Sequence, residues 1–477
     1  MKVLMFGWEF PPNISGGLGT ACYGLTKGLS KLNDVEVTFV VPKVFGGEDR
    51  SSINLISAND VPITNRKIRL SELGTSIEYL EVSSKLVPYV DPEEYYRQST
   101  FTVEGIKSLI EADAEGKLKF TGKYTEDLFS EIARYALVAN VIAQDNQFDI
   151  IHAHDWLTYP AGIAARQVSG KPLVIHVHAT DFDRSGGNTN PNVYAIEKQG
   201  MDAADKIITV SNLTKQVVID KYRIDPAKII TVYNAVEPVE NKESTIFSKG
   251  FSEKIVTFLG RITTQKGPEY FVDIANCVLQ RSSTVRFVMA GSGDMMNKMI
   301  RRVAQLGIAD KFHFTGFLKG DDVYKMLFMS DVYVMPSVSE PFGISALEAM
   351  QAGVPIIISR QSGVAEILTN VFKFDFWDVE GMADAIYGLL KYPMVSKMLV
   401  REEKQELSSV NWIDSARRVK LVYDSVIYGS GVLDELKNHH NSLIFKTSIR
   451  YFKTRKKKYY PHCRKARISH SACLSLN

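Results

Sequence analysis

The sequence predicts an α/β protein with two doubly wound domains, each built on a parallel sheet with helices on both faces. The chain has 477 residues, more than one ordinary core accommodates. Short apolar runs alternate with helical patterns, which is typical of parallel sheets with covered faces. The alternation stops at a polar stretch near residue 238 and then restarts as a second series of strands and helices. Two domains joined by a hinge follow from this pattern.

The first domain is predicted at residues 1–237. Its apolar runs predict strands at residues 2–7, 35–41, 148–151, 173–178, 206–210 and 229–232. A Gly-rich loop at 11–19 leads into a helix, and another helix is predicted at 126–144. Residues 46–125 are irregular and polar, with aromatic residues at Tyr89, Tyr95, Tyr96 and Phe101. Connections of this length are usually functional or mobile.

The hinge is predicted at 238–250 and the second domain at 251–410. Strands are predicted at 255–260, 285–291, 312–316, 332–336 and 355–359, each followed by a helix. Residues 411–428 predict an amphipathic helix, because apolar residues recur at 412, 416, 419, 423 and 426. Residues 429–477 lose this periodicity and form a basic tail. Ten Lys or Arg residues and no acid lie between Lys446 and Arg467.

Composition narrows the class of protein. Apolar residues make up 45% and charged residues 23%, as in globular proteins. No apolar run is long enough to cross a bilayer, and the first residues are interpreted as a strand, not a signal peptide. The four cysteines lie far apart, which favours a reduced, cytoplasmic location. The tail could bind an anionic polymer or a membrane surface. No nucleic-acid-binding module accompanies it, so we interpret it as a solvated end.

The stretch 335–353, MPSVSEPFGISALEAMQAG, predicts a strand, a turn and a helix. Glu340 lies in the turn and Glu348 on the helix, so the two carboxylates can reach two parts of an elongated polar ligand. The amides of Phe342, Gly343 and Ile344 are the unpaired donors of the helix N-terminus, where anions bind readily. The alternative is an ordinary strand–turn–helix with two solvated glutamates.

Two cations follow the first strand of the second domain. Arg261 and Lys266, in GRITTQKG, lie at the carboxyl end of the predicted sheet, where doubly wound folds bind ligands. Arginine offers a planar fork for two phosphate oxygens, and lysine offers a mobile point charge. Either could instead be a solvated surface cation. Gly16 and Gly17, after the first strand of the chain, supply amides that no side chain shields.

Two pairs of histidines end neighbouring predicted strands, one in HAHDW and one in HVHATD. We interpret His152 and His176 as packing residues; the roles of His154 and His178 follow from the family resemblance described below. A zinc site of all four is an alternative, but nothing else in the sequence supports an open metal position. No metal is therefore expected.

Gly291 follows another strand, in VRFVMAGSG, and is expected to line a nucleotide pocket. No further glycine completes a dinucleotide fingerprint, and the chain has no P-loop motif. Chemistry that depends on either motif is disfavoured.

EPFGISALE resembles the E-x7-E signature of retaining nucleotide-sugar glycosyltransferases with the GT-B fold, and is most similar to family four and to short glycogen synthases. GRITTQKG resembles their diphosphate clamp. HDW resembles the H-D-W motif of glycogen synthases. SGGLG resembles the K-x-G-G-L loop of starch and glycogen synthases, with Asn13–Ser15 where a lysine is expected. The role of the family's lysine is therefore not carried over to this sequence, whereas the role of the glycine amides is. The resemblance covers residues 1–428, with the motifs in the family's order.

The resemblance implies two lobes that face each other across a cleft and bind a nucleoside-diphosphate sugar. It implies that the last helix packs back on the first domain and that 316–318 contacts the base. The implied roles are as follows: Arg261 and Lys266 hold the diphosphate, which the amides of Gly16 and Gly17 approach; Glu348 binds the ribose hydroxyls; Glu340 and the amides of Phe342, Gly343 and Ile344 engage the sugar; and His154 and His178 contact it.

By this resemblance, the chain is expected to move a hexose, glucose above all, from ADP-glucose or UDP-glucose to an α-1,4-glucan, with retention of configuration. No cofactor or specific nucleic acid is expected, and the sequence does not indicate an oligomeric state. One alternative is a family-four transferase that builds a cell-surface or lipid-linked glycan. Others are a non-catalytic protein that binds a sugar nucleotide or a glucan, and a GT-B-type epimerase.

Overall fold

The computed structural model describes residues 1–63, 113, 115–124, 127–238 and 252–429. Three sequence-based predictions concern residues outside these ranges. They are the aromatic residues between 89 and 101, the hinge beyond residue 238, and the basic tail from residue 430 onward.

Two parallel sheets organise the described residues, so the predicted fold class is confirmed. The strands are short and mostly apolar, and the central strands of each sheet are largely buried because helices cover both faces. The first sheet contains β1 (Lys2–Phe6), β2 (Glu36–Val41), β3 (Asn54–Ser57), β4 (Ile150–His154), β5 (Leu173–Val177), β6 (Lys206–Thr209) and β7 (Ile229–Thr231). The second contains β8 (Lys254–Leu259), β9 (Val285–Ala290), β10 (Phe312–Gly316), β11 (Val332–Met335), β12 (Ile356–Ser359) and β13 (Phe372–Phe374).

The helices connect these strands and pack on the sheets. They are α1 (Gly17–Ser30), α2 (Leu128–Asp145), α3 (Tyr159–Ser169), α4 (Asp181–Ser185), α5 (Pro191–Ala203), α6 (Asn212–Tyr222), α7 (Pro268–Leu279), α8 (Met296–Gln305), α9 (Asp321–Met329), α10 (Ile344–Gln351), α11 (Val379–Lys391), α12 (Pro393–Leu407) and α13 (Trp412–Tyr428). Among these described helices, none combines the length and the apolar composition that crossing a bilayer requires.

In each sheet, successive strands are first added on one side of the first strand and then on its other side, which creates one topological switch point. The first sheet runs β3-β2-β1-β4-β5-β6-β7, and the second runs β10-β9-β8-β11-β12-β13. The switch points therefore lie between β1 and β4 and between β8 and β11. The loops that follow these strands diverge there and leave a crevice, which is where open α/β sheets bind ligands.

Helix α13 packs on α1 in the first domain. The indole of Trp412 lies against Gly24, where an added Cβ would come within 2.1 Å of the ring. Ser415 Oγ donates a hydrogen bond of 2.7 Å to the carbonyl oxygen of Tyr233. Trp412, Ala416, Val419 and Tyr423 are buried in the same core as α1, because the apolar stripe of α13 faces that helix.

The two domains also meet through polar contacts. Glu366 accepts hydrogen bonds from the amides of Asn212 and Leu213 at the start of α6, at 2.9 and 2.7 Å. The hydroxyl of Tyr233 donates to the same carboxylate at 2.9 Å. A carboxylate at a helix N-terminus satisfies donors that the helix itself leaves unpaired. The two domains are therefore joined by a contact that depends on charge.

Two strands differ from the sequence-based interpretation. Residues 46–125 were expected to be irregular, but β3 lies within them and pairs in parallel with β2. Strand β13 also went unpredicted, and it pairs with β12. Both are edge strands of three or four residues, too short to give a period, and no residue of β13 is buried.

Candidate active site

The loops after β8 and β11 bring a cation and a carboxylate into direct contact. Lys266 Nζ donates to Glu340 Oε2, although the residues lie 74 positions apart in the chain. Lys266 ends a 3₁₀ turn (Thr264–Lys266), and Glu340 follows β11. The Glu340 side chain is buried, and the hydroxyl of Ser337 donates to the same oxygen at 3.4 Å. The predicted clamp and the predicted turn therefore form one site.

Arg261 lies beside this pair and is exposed. Its Nη2 donates to Gln265 Oε1 at 3.4 Å, and no described carboxylate forms an ion pair with it. An exposed guanidinium keeps most of its five donors available for an incoming anion. Arg261 and Lys266 are thus two cations at the edge of one sheet.

The amides of Phe342, Gly343 and Ile344 begin α10 on the other side of Glu340. None of them donates to an acceptor among the residues that the structure describes. Helix α10 starts at Ile344 with Gly343 as its N-cap, so these N–H groups are unpaired donors at and just before the helix N-terminus. They add partial positive charge next to the two cations.

Glu348 lies on α10, partly exposed. Burial raises the pKa of its carboxyl group to about 7. No described side chain donates a hydrogen bond to it, and no described cation pairs with it. The hydroxyl-bearing rings of Tyr324 and Tyr333 lie near enough for the Glu348 charge to raise their pKa values further, beyond the effect of burial. A carboxylate in this setting is available for hydroxyl groups of a ligand.

Glu9 binds the Gly-rich loop that follows β1. Its carboxylate accepts hydrogen bonds from the amide and hydroxyl of Ser15, at 2.9 and 2.7 Å, and from the amide of Gly19 at 3.2 Å. An added Cβ at Gly16 or Gly17 would meet no atom within 4 Å, so the space beside this loop is free. Burial raises the pKa of Glu9, and the charge of Arg261 opposes this rise. The loop therefore faces Arg261 from the other domain.

The four histidines lie together on one face of the first sheet. His154 Nδ1 and His178 Nε2 are 2.9 Å apart, and His152 Nδ1 lies 2.6 Å from the hydroxyl of Tyr423 on α13. His178 is partly exposed, whereas the other three are buried. Burial lowers the pKa of all four rings, that of His178 to about 3, so they are neutral near pH 7. His178 is the histidine nearest to the cleft.

Asp155 fixes the backbone that carries His178. Its carboxylate accepts hydrogen bonds from the amides of His178 and Ala179, at 2.7 and 3.3 Å. Burial raises the pKa of Asp155 to about 6. A few residues further, Asp183 Oδ1 accepts a 2.5 Å hydrogen bond from Ser339, which precedes Glu340. The loop that carries His178 and the loop that carries Glu340 therefore touch across the domain boundary.

Gly291 packs directly against the clamp loop. Its φ angle is 142°, and an added Cβ would lie 1.8 Å from the carbonyl oxygen of Gly260. Its amide donates to the carbonyl oxygen of Gly316 at 2.9 Å. Gly291 therefore contributes backbone and close approach, because no side chain fits at this position.

Sequence reasoning gave no role to Glu9 or Asp155. Glu9 lies just before the Gly-rich loop at 11–19, and Asp155 lies in HAHDW. A buried acid that binds loop amides leaves no periodic signal in a sequence. The structure assigns both residues to the support of loops that border the cleft.

The comparisons with known families cover most of the described chain. The family described as "Glycosyl transferases group 1" matches residues 241–406, and "Glycosyltransferase Family 4" matches residues 115–240. An uncharacterised glycosyltransferase of Methanocaldococcus jannaschii is 30% identical over 383 residues, which cover 78% of this chain and 83% of that protein.

Two further relatives have named activities. A glycogen synthase of Mycobacterium tuberculosis is 23% identical over 436 residues, covering 89% of this chain and 94% of that enzyme. UDP-Gal:α-D-GlcNAc-diphosphoundecaprenol α-1,3-galactosyltransferase of Escherichia coli is 25% identical over 316 residues, covering 63% of this chain and 80% of that enzyme.

Solved structures support the fold. Sucrose-phosphate synthase from Thermosynechococcus elongatus has a TM-score of 0.65 at 16% identity, covering 89% of this chain and 99% of that one. HepE from Anabaena, in complex with UDP and glucose, has a TM-score of 0.61 at 15% identity, covering 89% of this chain and 100% of that one. With the motifs, the two matched families and the archaeal relative in agreement, the chain belongs to the group 1, family 4 glycosyltransferases of GT-B fold.

Proposed function

We propose that the chain is a retaining glycosyltransferase that moves glucose from a nucleoside-diphosphate glucose, ADP-glucose or UDP-glucose, to an α-1,4-glucan. One observation carries this proposal. Lys266 contacts Glu340 just before the unpaired amides at the start of α10, Arg261 lies in the same loop as Lys266, and the charge of Arg261 acts on Glu9, which binds the glycine loop of the other domain. This arrangement suits a diphosphate with a sugar attached.

In the proposed complex, Arg261 and Lys266 bind the diphosphate, and the amides of Gly16 and Gly17 approach it from the other side. Gly291 provides close backbone packing beside the clamp. Glu348 accepts hydrogen bonds from the ribose hydroxyls, which suits a carboxylate that lacks a described partner. Together these groups bind the nucleotide half of the donor.

The diphosphate is proposed to displace Glu340 from Lys266. In the structure, Lys266 pairs with Glu340. When the diphosphate binds the lysine, the Glu340 carboxylate is released and accepts hydrogen bonds from sugar hydroxyls. The amides of Phe342, Gly343 and Ile344, which have no acceptor among the described residues, donate hydrogen bonds to the sugar. His178 contacts the sugar, and the buried His154 orients it through their hydrogen bond. The ion pair thus exchanges one partner for another within the site.

Transfer is proposed to occur on the face from which the diphosphate departs. The acceptor oxygen bonds to the anomeric carbon, the carbon–oxygen bond to the diphosphate breaks, and the acceptor proton goes to a diphosphate oxygen. Arg261 and Lys266 stabilise the charge that grows on the leaving group. Preorganised groups of this kind each contribute about 10²–10³ to turnover. No bound metal is required for this step in the proposal.

The glucan acceptor is supported by the glycogen synthase relative, of which the chain spans 94%. The second candidate acceptor is a cell-surface or lipid-linked glycan, which the Escherichia coli galactosyltransferase supports. A non-catalytic role is disfavoured because Arg261, Lys266, Glu340 and Glu348 are all retained. A cytosolic location is proposed because the free thiols of Cys22 and Cys277 persist in reducing compartments.

The test uses the purified full chain with glycogen and labelled ADP-glucose or UDP-glucose. We expect label in the glucan, and the double variant Arg261→Ala/Lys266→Ala should lose at least about 10²-fold in turnover. Lys298→Ala, which removes an exposed lysine of the same domain, is the matched control and should keep full activity. A parallel reaction offers an undecaprenyl-diphosphate-linked sugar in place of glycogen, and label in that acceptor but not in the glucan would select the second acceptor. Turnover of the double variant near the wild-type value would refute the site.

A further inference from the structure

The histidine cluster contains more than the proposed sugar contact uses. Strands β4 and β5 pair in parallel with His154 opposite His176, which places the histidine rings side by side on one face. The ring centroids of His152 and His154 lie 4.2 Å apart, and those of His154 and His176 lie 5.2 Å apart. Three buried imidazoles therefore contact one another without a carboxylate between them.

Several nitrogens of these rings have no partner. His152 Nε2, His154 Nε2 and both ring nitrogens of His176 are buried and form no hydrogen bond with any described residue. Buried polar atoms are paired in the great majority of cases, so these four unpaired nitrogens, together with His178 Nδ1 as a fifth, call for a ligand. Each offers a lone pair when its ring is in the right neutral tautomer.

In two of these rings, the second nitrogen already has a hydrogen-bond partner. His152 Nδ1 is bound to the hydroxyl of Tyr423, and His154 Nδ1 is bound to His178 Nε2. Histidines that bind metal ions usually use their second ring nitrogen in such a contact, which fixes the tautomer and the ring orientation. In both residues, the nitrogen that remains is Nε2.

We propose that His152, His154 and His176 bind one transition-metal ion of the zinc class. One nitrogen from each ring lies within 4.8 Å of those of the other two. Zinc–nitrogen bonds of about 2 Å hold tetrahedral ligand atoms about 3.3 Å apart, so ring shifts of about 1 Å would complete the site. Three imidazoles suit zinc, copper, nickel or iron, whereas magnesium and calcium prefer oxygen ligands.

This assignment departs from the expectation of no metal, and also from a site of four histidines. His178 stays outside the ligand set because the three buried rings form a group within this distance without it. Cys22, His154 and His178 form another group within the same distance, in which His154 Nε2 and His178 Nδ1 are unpaired, and a thiolate band in the cobalt spectrum would identify that group. The proposed ion would join β4 to β5 and leave the proton of His154 on Nδ1, where it is donated to His178.

The test is a cobalt(II) titration of the full chain, purified without a polyhistidine tag and stripped with a chelator. Cobalt reports its coordination through visible absorption, and zinc should displace it. We expect one tetrahedral site per chain, and His176→Asn should abolish it. The matched control is His439→Asn/His440→Asn, because the chain carries further histidines after residue 429. This control should bind cobalt as the wild type does.

If His176→Asn does not fold, the variant Tyr423→Phe provides a second test of the proposal. It removes only the hydroxyl that holds His152, so we expect affinity to fall about 10- to 100-fold with the spectrum retained. Three results would overturn the proposal. They are no tetrahedral site in the wild type, undiminished binding in His176→Asn or Tyr423→Phe, and a thiolate charge-transfer band, which would assign the ion to a site that contains one of the four cysteines.

Discussion

Donor binding should depend on pH through Glu348. Burial raises the pKa of this carboxyl group to about 7, and in the proposed complex its ionised form accepts the ribose hydroxyls. Binding of the donor therefore favours the carboxylate over the protonated acid. Affinity should rise as the pH increases through 7 and should level off above it, because no proton then remains to be released.

The size of the effect follows from the pKa. With a pKa of about 7, about nine in ten molecules carry the proton at pH 6, and about one in ten carries it at pH 8. If only the ionised form binds, the apparent dissociation constant at pH 6 is about tenfold larger than at pH 8. His178, with a pKa of about 3, stays neutral over this range and does not contribute.

The assay is calorimetric titration with an intact nucleotide sugar, which has no group that titrates in this range. Glu348→Gln should bind more weakly at pH 8 and should lose the pH dependence, because the amide carries no charge at any pH. Asp155, whose pKa is about 6, is unchanged in this variant, so any slope that it causes would remain below pH 7. A wild-type affinity that does not change between pH 6 and pH 8 would refute the reasoning. So would a tenfold change that persists in Glu348→Gln.

Two further predictions concern the loops and the domain contact. Gly291→Ala should lower the free energy of unfolding by more than about 2 kcal/mol in urea titrations, because its methyl group would meet the Gly260 carbonyl. Gly16→Ala should leave that free energy unchanged and weaken donor binding; equal stability of the two variants would contradict this account. Glu366→Ala should cost about 1 kcal/mol in the same assay, because two amides at the start of α6 lose their acceptor. An unchanged unfolding midpoint would show that this contact does not stabilise the protein.

The sequence was sufficient for the architecture because apolar runs and helical patterns recur along nearly the whole chain. It also indicated the strand ends that carry Arg261, Glu340 and His178, since ligands of doubly wound sheets bind at those ends. It could not indicate that Lys266 and Glu340 form an ion pair. Their contact depends on the order of β8 and β11 within the sheet, and no local pattern encodes that order.

The histidines show the same limit. His152 and His176 each look like packing residues when taken one at a time. Only the parallel register of β4 and β5 places them beside His154, and only α13 brings Tyr423 to His152. Such clusters depend on contacts between residues far apart in the chain. Their members can be named from a sequence, but their geometry cannot.

The position of α13 has a consequence for synthesis of the protein. Trp412 and Tyr423 are among the last described residues to leave the ribosome, yet they cover α1, which is among the first. Until they emerge, the apolar face around Cys22 and Leu25 lacks its cover, and His152 lacks Tyr423. The amino-terminal half of the nascent chain therefore cannot reach its final packing until the carboxyl-terminal half has been translated.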